Sequence, residues 1–347
     1  MWRAACTCNP PAFPYSTAQR RPVALGLETG MPVKLICASH TPLMDFCSPG
    51  AEVERAVRDT FAALAAEVRD YNPELVVVFG PDHFNGFFYD LMPSFCIGVR
   101  AAAAGDWDIG HGPLAVPEAQ ALALVKAVLA DDVDVAYSYR MQADHGFTQP
   151  LELLCGGIAR YPAIPVFVNG AAKPLPSCRR SVALGRAIGR HLAGSQQRIL
   201  LIGSGGLSHD PPTPQMGSVP PEVEEFLIGG RNPTPEARQA RQARVVATGQ
   251  ALARGEGPSL PLNAEWDQQL MEAFRVGDFD ALAALSDEAI LRDGGRGGQE
   301  IRAWIAAFAA LAEFGPYDAQ VRYYHPIQEW IAGMGMMSAQ PRAGAQA

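Results

Sequence analysis

Apolar residues along this chain gather in short unbroken runs, and the stretches between the runs repeat apolar positions every third or fourth residue. The runs fall at 33–37 (VKLIC), 75–79 (LVVVF), 133–137 (VDVAY), 164–168 (IPVFV) and 199–202 (ILLI). Most are continuously apolar rather than alternating, which is the pattern of strands covered on both faces of a sheet. Between them, 52–69 carries apolar residues at 53, 57, 61, 64, 65 and 68, a helical stripe, and 117–129 and 179–192 behave similarly. Thr148-Gln149-Pro150 reads as a helix start with proline near its first turn. Strands alternating with helices predict an α/β fold with a largely parallel central sheet flanked by helices.

After about residue 218 the character changes. Helical stretches at 222–227, 235–253, 266–274, 279–291 and 300–314 follow one another across short breaks, and the next strand-like run is 321–324. With no long linker and no internal repeat, this predicts a helical C-terminal elaboration of one domain spanning 31–339. Residues 1–30 are rich in Pro, Thr, Ser and Ala without a period, and are expected to be a disordered extension or the product of an upstream start codon. Residues 340–347 are expected to form a flexible tail.

Composition narrows the chemistry. The formal net charge is −8 over 347 residues, against the basic face of a nucleic-acid binder, so no such partner is expected. An anionic substrate would need a locally positive pocket. No apolar run approaches the roughly 18 residues of a membrane span. The seven cysteines are irregularly spaced, without the paired spacing of a zinc site. Cys37 and Cys155 sit in apolar runs as buried thiols, which fits a reducing cytoplasm.

Four of the seven histidines share one context. His40 follows the run ending VKLIC, His83 follows LVVVF, His145 follows VDVAY at some distance, and His209 follows ILLI. In an open parallel sheet the carboxyl ends of the strands lie along one edge, where ligands bind. Four imidazoles would therefore reach a common rim, while His111, His191 and His325 have no such placement. Such a cluster suits a metal site, because two histidines and one carboxylate with open positions is the arrangement of non-haem Fe(II) oxygenases. It also suits general acid–base work near neutrality. For the carboxylate, Asp82, Asp144, Asp210, Glu265, Asp267 and Glu300 all qualify. Glu300 follows the loop DGGRGGQ, whose glycines let backbone approach other elements closely. The stretch GSGGLSHD lacks the last glycine of a dinucleotide-binding loop, and Gly203 directly precedes Ser204, unlike a nucleophile elbow. A serine hydrolase built on Ser204 or Ser208 and a zinc-dependent hydrolase on the same rim remain rival readings.

The stretches ASHTPL, PELVVVFGPDHFNGFFYDLMPSFCIGV, MQADHGFTQPLELL, PVFVNG, GSGGLSHDPP, PLNAEWD and YYHPIQEWIAGMG resemble the class III, LigB-type extradiol ring-cleavage dioxygenases over 31–339. The resemblance implies Fe(II)-dependent cleavage of a 3-substituted catechol by O2, with a propionate or acrylate side arm on the ring. It implies His40, His83 and Glu300 as iron ligands, His145 as proton donor and His209 as proton acceptor. Asp82 and Asp144 are expected to orient the adjacent histidines or their neighbours. It further implies a homo-oligomer, a tetramer or larger, without a separate small subunit. Where the family carries Arg in its YYRP run, this chain has His325, which argues against an essential cation there. A side-arm carboxylate calls for a cation, and Arg140, Lys173, Arg296 and Arg302 are the candidates.

Overall fold

This computed structural model describes residues 33–342. The strands are β1 (Val33–Ala38), β2 (Leu75–Gly80), β3 (Phe95–Gly98), β4 (Ala101–Ala103), β5 (Ala136–Ser138), β6 (Met141–Ala143), β7 (Ala163–Val168), β8 (Ile199–Ser204), β9 (Tyr317–Ile327) and β10 (Ala332–Pro341). Eight of them form one sheet in the order β5-β3-β7-β2-β8-β1-β10-β9, and β4 pairs with β6 in a small ribbon. Neighbours β7, β2, β8 and β1 run parallel, as do β3 and β5, whereas β10 is antiparallel to β1 and to β9, and β3 to β7.

The unbroken apolar runs follow from this position. Val33, Leu35 and Cys37 of β1, Val77 and Phe79 of β2, and Leu201 of β8 belong to one core layer. Their alternates Ile36, Ala38, Val76, Val78, Leu200 and Ile202 belong to another on the opposite face. With both pleat directions buried there is no polar alternation to see. The helices are α1 (Ala51–Tyr71), α2 (Glu118–Ala130), α3 (His145–Pro150), α4 (Cys178–Ala193), α5 (Pro221–Gly229), α6 (Pro235–Ala253), α7 (Ala264–Val276), α8 (Phe279–Ala284), α9 (Asp287–Gly294) and α10 (Ile301–Ala312). The first layer is covered by α2, α4 and α10, the second by α1 and the turns after α3. Apart from Arg302, helix α10 is apolar all round, and it is buried along nearly its whole length, the pattern of a helix inside a core rather than on it.

Several expectations need correction. The run 133–137 supplies only β5 at 136–138, a short edge strand, because Val133 and Val135 pack into the core before the strand begins. Thr148 does not start a helix. The helix begins at His145, because the Asp144 carboxylate accepts the Gly146 N–H and caps it there. The stretch 279–291 is two helices, since Ser286 caps the second by accepting from the Ala289 N–H. Neither β3 nor β10 was anticipated, and β9 is longer than 321–324. Gln340 and Pro341 are no tail, for they pair with Asp318 and Tyr317. The extension assigned to 1–30 and the remainder of the tail, 343–347, lie outside the described residues.

Gly185 of α4 faces α10 so closely that a Cβ there would fall inside the Ala306 carbonyl oxygen, a backbone atom that cannot swing aside. In an exposed helix Gly→Ala stabilises by about 1 kcal/mol. Here Gly185→Ala should instead lower stability by about 1–3 kcal/mol, as overpacking does. Urea unfolding with an unchanged m-value checks the sign.

Candidate active site

Parallel strands β1, β8 and β2 are direct neighbours, so their carboxyl ends open on one rim, and His40, His209 and His83 follow those ends. After β2 the chain is turned by Asp82, whose carboxylate accepts the N–H groups of Asn85, Gly86 and Phe87 at 3.2, 2.8 and 3.1 Å. Thus Asp82 shapes the loop that carries His83 and does not bond the ring itself. His145 is the first residue of α3, set by the Asp144 cap. Glu300 ends the 3-10 turn Gly297–Glu300 that leads into α10. Glycines permit the crowding expected of the DGGRGGQ loop: a Cβ on Gly297 or Gly206 would collide with the His209 ring, and Gly170 and Gly205 lie against Glu300.

The four imidazoles are oriented alike. His83 Nδ1 is 2.9 Å from Asp144 Oδ2, His145 Nδ1 is 2.5 Å from Asp106 Oδ2, His209 Nδ1 is 2.9 Å from the Leu207 carbonyl and His40 Nδ1 is 3.0 Å from Ser204 Oγ. Carboxylates and carbonyls only accept, so the Nδ1 proton is fixed in His83, His145 and His209, and Nε2 is the atom left for chemistry. Glu300 receives three of these: His83 Nε2 at 3.1 Å and His209 Nε2 at 3.2 Å on Oε1, and His40 Nε2 at 3.8 Å on Oε2, which also accepts the Gly206 N–H at 3.1 Å. Ring centroids of His40 lie 5.2 Å from His83 and 5.3 Å from His145, and His83 and His145 stack at 4.2 Å.

Burial would raise Glu300, yet the imidazoles of His209 and His83 hold it well below the usual carboxylate range. For His83, burial disfavours charge, but the Asp144 and Glu300 carboxylates outweigh it and hold the ring well above the ordinary histidine value. His209 is likewise raised, its burial outweighed chiefly by Glu300. Burial pushes His40 down to about 3, only partly offset by Glu300, so it is a neutral imidazole. His40, His83 and His145 can offer donor atoms within 4.8 Å of one another, which makes them candidates for holding a metal ion.

The rings open on a cavity of about 140 Å³, walled by Phe84, Trp107, Phe226, Val245 and Trp330 among others. An apolar cavity of about this volume accepts a benzene-sized guest. Trp107 reaches it from a left-handed backbone turn, φ 55°, uncommon for an aromatic residue and sited where Asp106 meets His145.

Of the residues singled out from sequence, His40, His83, His145, His209, Glu300 and Asp144 meet here, and Asp82 stands behind them. Asp210 and Asp267 are engaged elsewhere, with Arg296 and with Ser208 and Tyr324, and Glu265 is exposed. His111, His191 and His325 are exposed. The side-arm cations fare differently: Arg140 is exposed, Arg302 is spent on Pro176, Gln299 and Asp287, and Arg296 pairs with Asp210. Lys173 opens on a neighbouring cavity of about 110 Å³ that shares His83 and Glu300. Sequence reading missed Asp106, Ser204's bond to His40, and Arg241, which lines the histidine cavity from α6. The loop GDWDIGHGP held the only signal for Asp106, two acidic residues around an aromatic between glycines.

A family model described as the catalytic LigB subunit of aromatic ring-opening dioxygenase matches residues 34–335. A Photorhabdus laumondii protein named 2,3-dihydroxyphenylpropionate/2,3-dihydroxicinnamic acid 1,2-dioxygenase is 63% identical over 311 residues, covering 90% of this chain and 98% of that one. A protein of the same name from Paraburkholderia xenovorans is 55% identical over 313 residues, covering 90% and 99%. Among the described residues no helix is long and apolar enough to cross a membrane.

Asp144 accepts from the His83 and Gly146 amides, from His83 Nδ1 and from the Asn85 amide at 2.8, 2.9, 2.9 and 3.1 Å. Asp144→Ala strands these buried and half-buried donors and should cost about 3 kcal/mol of stability, measured by chemical unfolding. Asp144→Asn, which keeps one acceptor oxygen, should lose less.

Proposed function

This chain belongs to the LigB family of aromatic ring-opening dioxygenases, which are metal-dependent oxidoreductases, and we propose that it opens a 3-substituted catechol with O2 at a ferrous ion. The substrates of this reading are 3-(2,3-dihydroxyphenyl)propanoate and 2,3-dihydroxycinnamate, the compounds in the names of its relatives, and the product is a 2-hydroxy-6-oxo-dienedioate. The observation that carries it is the convergence of the His40 and His83 Nε2 atoms on Glu300, with His145 and His209 beside them at one cavity.

His40, His83 and Glu300 are the proposed ligands, and their chemistry fits. Two imidazoles and one carboxylate form the facial set of non-haem Fe(II) oxygenases and leave positions open. His83 Nε2, 3.1 Å from Glu300 Oε1, and His40 Nε2, 3.8 Å from Glu300 Oε2, would hold such an ion together with that carboxylate. Asp144 behind His83 and Ser204 behind His40 are the outer partners that ligating histidines need to hold their rings. The ion supplies, when bound, adjacent sites for the catechol and O2 and an electron path between them.

The remaining work is proton transfer by this chain's own groups. His209 donates a hydrogen bond from Nδ1–H to the Leu207 carbonyl, so Nε2 is its basic atom, and it takes a proton from a catechol hydroxyl as the ring binds. His145 is the proton donor as the ring opens, through Nε2. Asp106 at Nδ1 sets that orientation and gives counter-charge to a ring holding two protons. The apolar side chains of Phe84, Trp107, Phe226, Val245 and Trp330 line the cavity beside the place of the reacting ring. The five described cysteines are all free, in keeping with a cytoplasmic enzyme.

Supplied with ferrous iron and 3-(2,3-dihydroxyphenyl)propanoate in air, the protein should take up oxygen and form a yellow ring-opened product. An inert mixture, with iron shown to be bound, would sink the reading. Iron analysis separates the roles: His40→Ala and His83→Ala should lose the metal, whereas His145→Ala and His209→Ala should retain it and turn over about 10²–10⁴-fold slower. Asp106→Asn should behave like a milder His145 variant, with iron bound and kcat reduced by about 10-fold or more.

A further inference from the structure

Arg241 faces the same cavity as the four histidines, from the middle of α6. Its guanidinium is partly buried and donates to neutral oxygens, the Phe84 carbonyl at 3.2 Å and the Asn85 side-chain oxygen. The ring of Phe226, 5.2 Å from its central carbon, supports one flat face. Asp82, Asp106 and Asp144 lie near enough to feel its charge without touching it. Two of them, Asp106 and Asp144, are already held by His145 and His83. A guanidinium has five donors in a planar fork matched to a carboxylate, and here most of the fork has no partner among the described residues. A cation withdrawn from water calls for an anion.

We propose that Arg241 is the anion subsite of this cavity, binding the carboxylate at the end of the catechol's side arm while the ring hydroxyls face the histidines. This deepens the ring-cleavage reading and rests on it for the position of the ring. The other cations are less suited: Arg296 and Arg302 have carboxylate partners, Arg140 lies at the surface, and Lys173 faces the adjoining cavity. Arg241 is thus a specificity-determining residue. It selects a ring bearing an acidic arm over the same ring bearing an alkyl arm.

The test compares kcat/KM of the iron-loaded full chain for 3-(2,3-dihydroxyphenyl)propanoate and for 3-propylcatechol. In R241Q the preference for the acid over the neutral ring should fall about 30-fold or more, as expected when one partner of a desolvated charge pair is removed. R241K, which keeps charge but not the fork, should lie between. An unchanged preference in R241Q, including equal losses on both rings, would overturn the proposal and make Arg241 a prop for Phe84 and Asn85. Should R241Q turn over neither ring, anaerobic calorimetry of both ligands gives the same ratio from Kd values and decides in the same way. If the wild-type chain opens neither catechol, the ring-cleavage reading fails, and the calorimetric ratio still decides the role of Arg241.

Discussion

Glu300 is a carboxylate only 4% exposed, and the site is built around making that tolerable. An ionised group taken out of water costs many kcal/mol unless opposing charge and hydrogen bonds replace the lost solvent. Here the replacement is a ring of Nε2 atoms from His83, His209 and His40 and one amide N–H from Gly206. None of these could approach if the surrounding positions carried ordinary side chains. Gly205 and Gly170 lie against Glu300, and Gly206 and Gly297 against the His209 ring. The glycines and the histidines are thus parts of one requirement. A metal ion at the same point would satisfy it more fully, setting positive charge directly against the carboxylate.

The sheet supplies the rest. Because β1, β8 and β2 are parallel neighbours, three loops leave the same edge within two strand spacings, and no long connection is needed to gather His40, His209 and His83. What the parallel strands cannot supply comes from the helices around them. Helix α10 runs through the core behind β8 and delivers Glu300 at its start, and its Trp304 holds the Gly205 carbonyl at 3.0 Å. Helix α6 brings Arg241 and Val245 to the cavity wall. The helical segment after residue 218 therefore completes the cavity rather than merely decorating the sheet.

Much of this was legible in the chain because the governing rule is local. A buried parallel strand is a short apolar run, and the residue that follows it lies at the rim, which holds for His40, His83 and His209. His145 does not obey it, for it follows β6 of the small ribbon and is placed by opening α3. Other features depended on partners distant in sequence. Asp106 is one of two acidic residues in an aperiodic loop, and nothing local marks it as the one facing His145. Arg241 belongs to the stretch PEARQARQARVV, whose arginines at 238, 241 and 244 read as a solvated helix face. Strand β10 (AGMGMMSAQP) is poor in β-branched residues and becomes a strand because β1 and β9 pair with it on both sides. Propensity had little to say there, and tertiary pairing decided.

Asn85 ties these parts into one network. Its amide nitrogen donates to Asp106 Oδ2 at 3.2 Å and to Asp144 Oδ2 at 3.1 Å, the two carboxylates that hold His145 and His83, while its oxygen accepts from Arg241. Only one amide orientation satisfies all three, since carboxylates cannot donate and guanidinium cannot accept. Asn85 itself is held by the Asp82 carboxylate through its backbone N–H at 3.2 Å. The guanidinium facing the cavity is therefore one side chain removed from the anchors of both the proposed proton donor and a proposed ligand. An anion drawn onto Arg241 would compete with Asn85 for its donors, and any movement of that amide would be felt at Asp106 and Asp144 together. Recognition of the proposed side arm and alignment of the imidazoles are thus mechanically connected through a single half-buried amide.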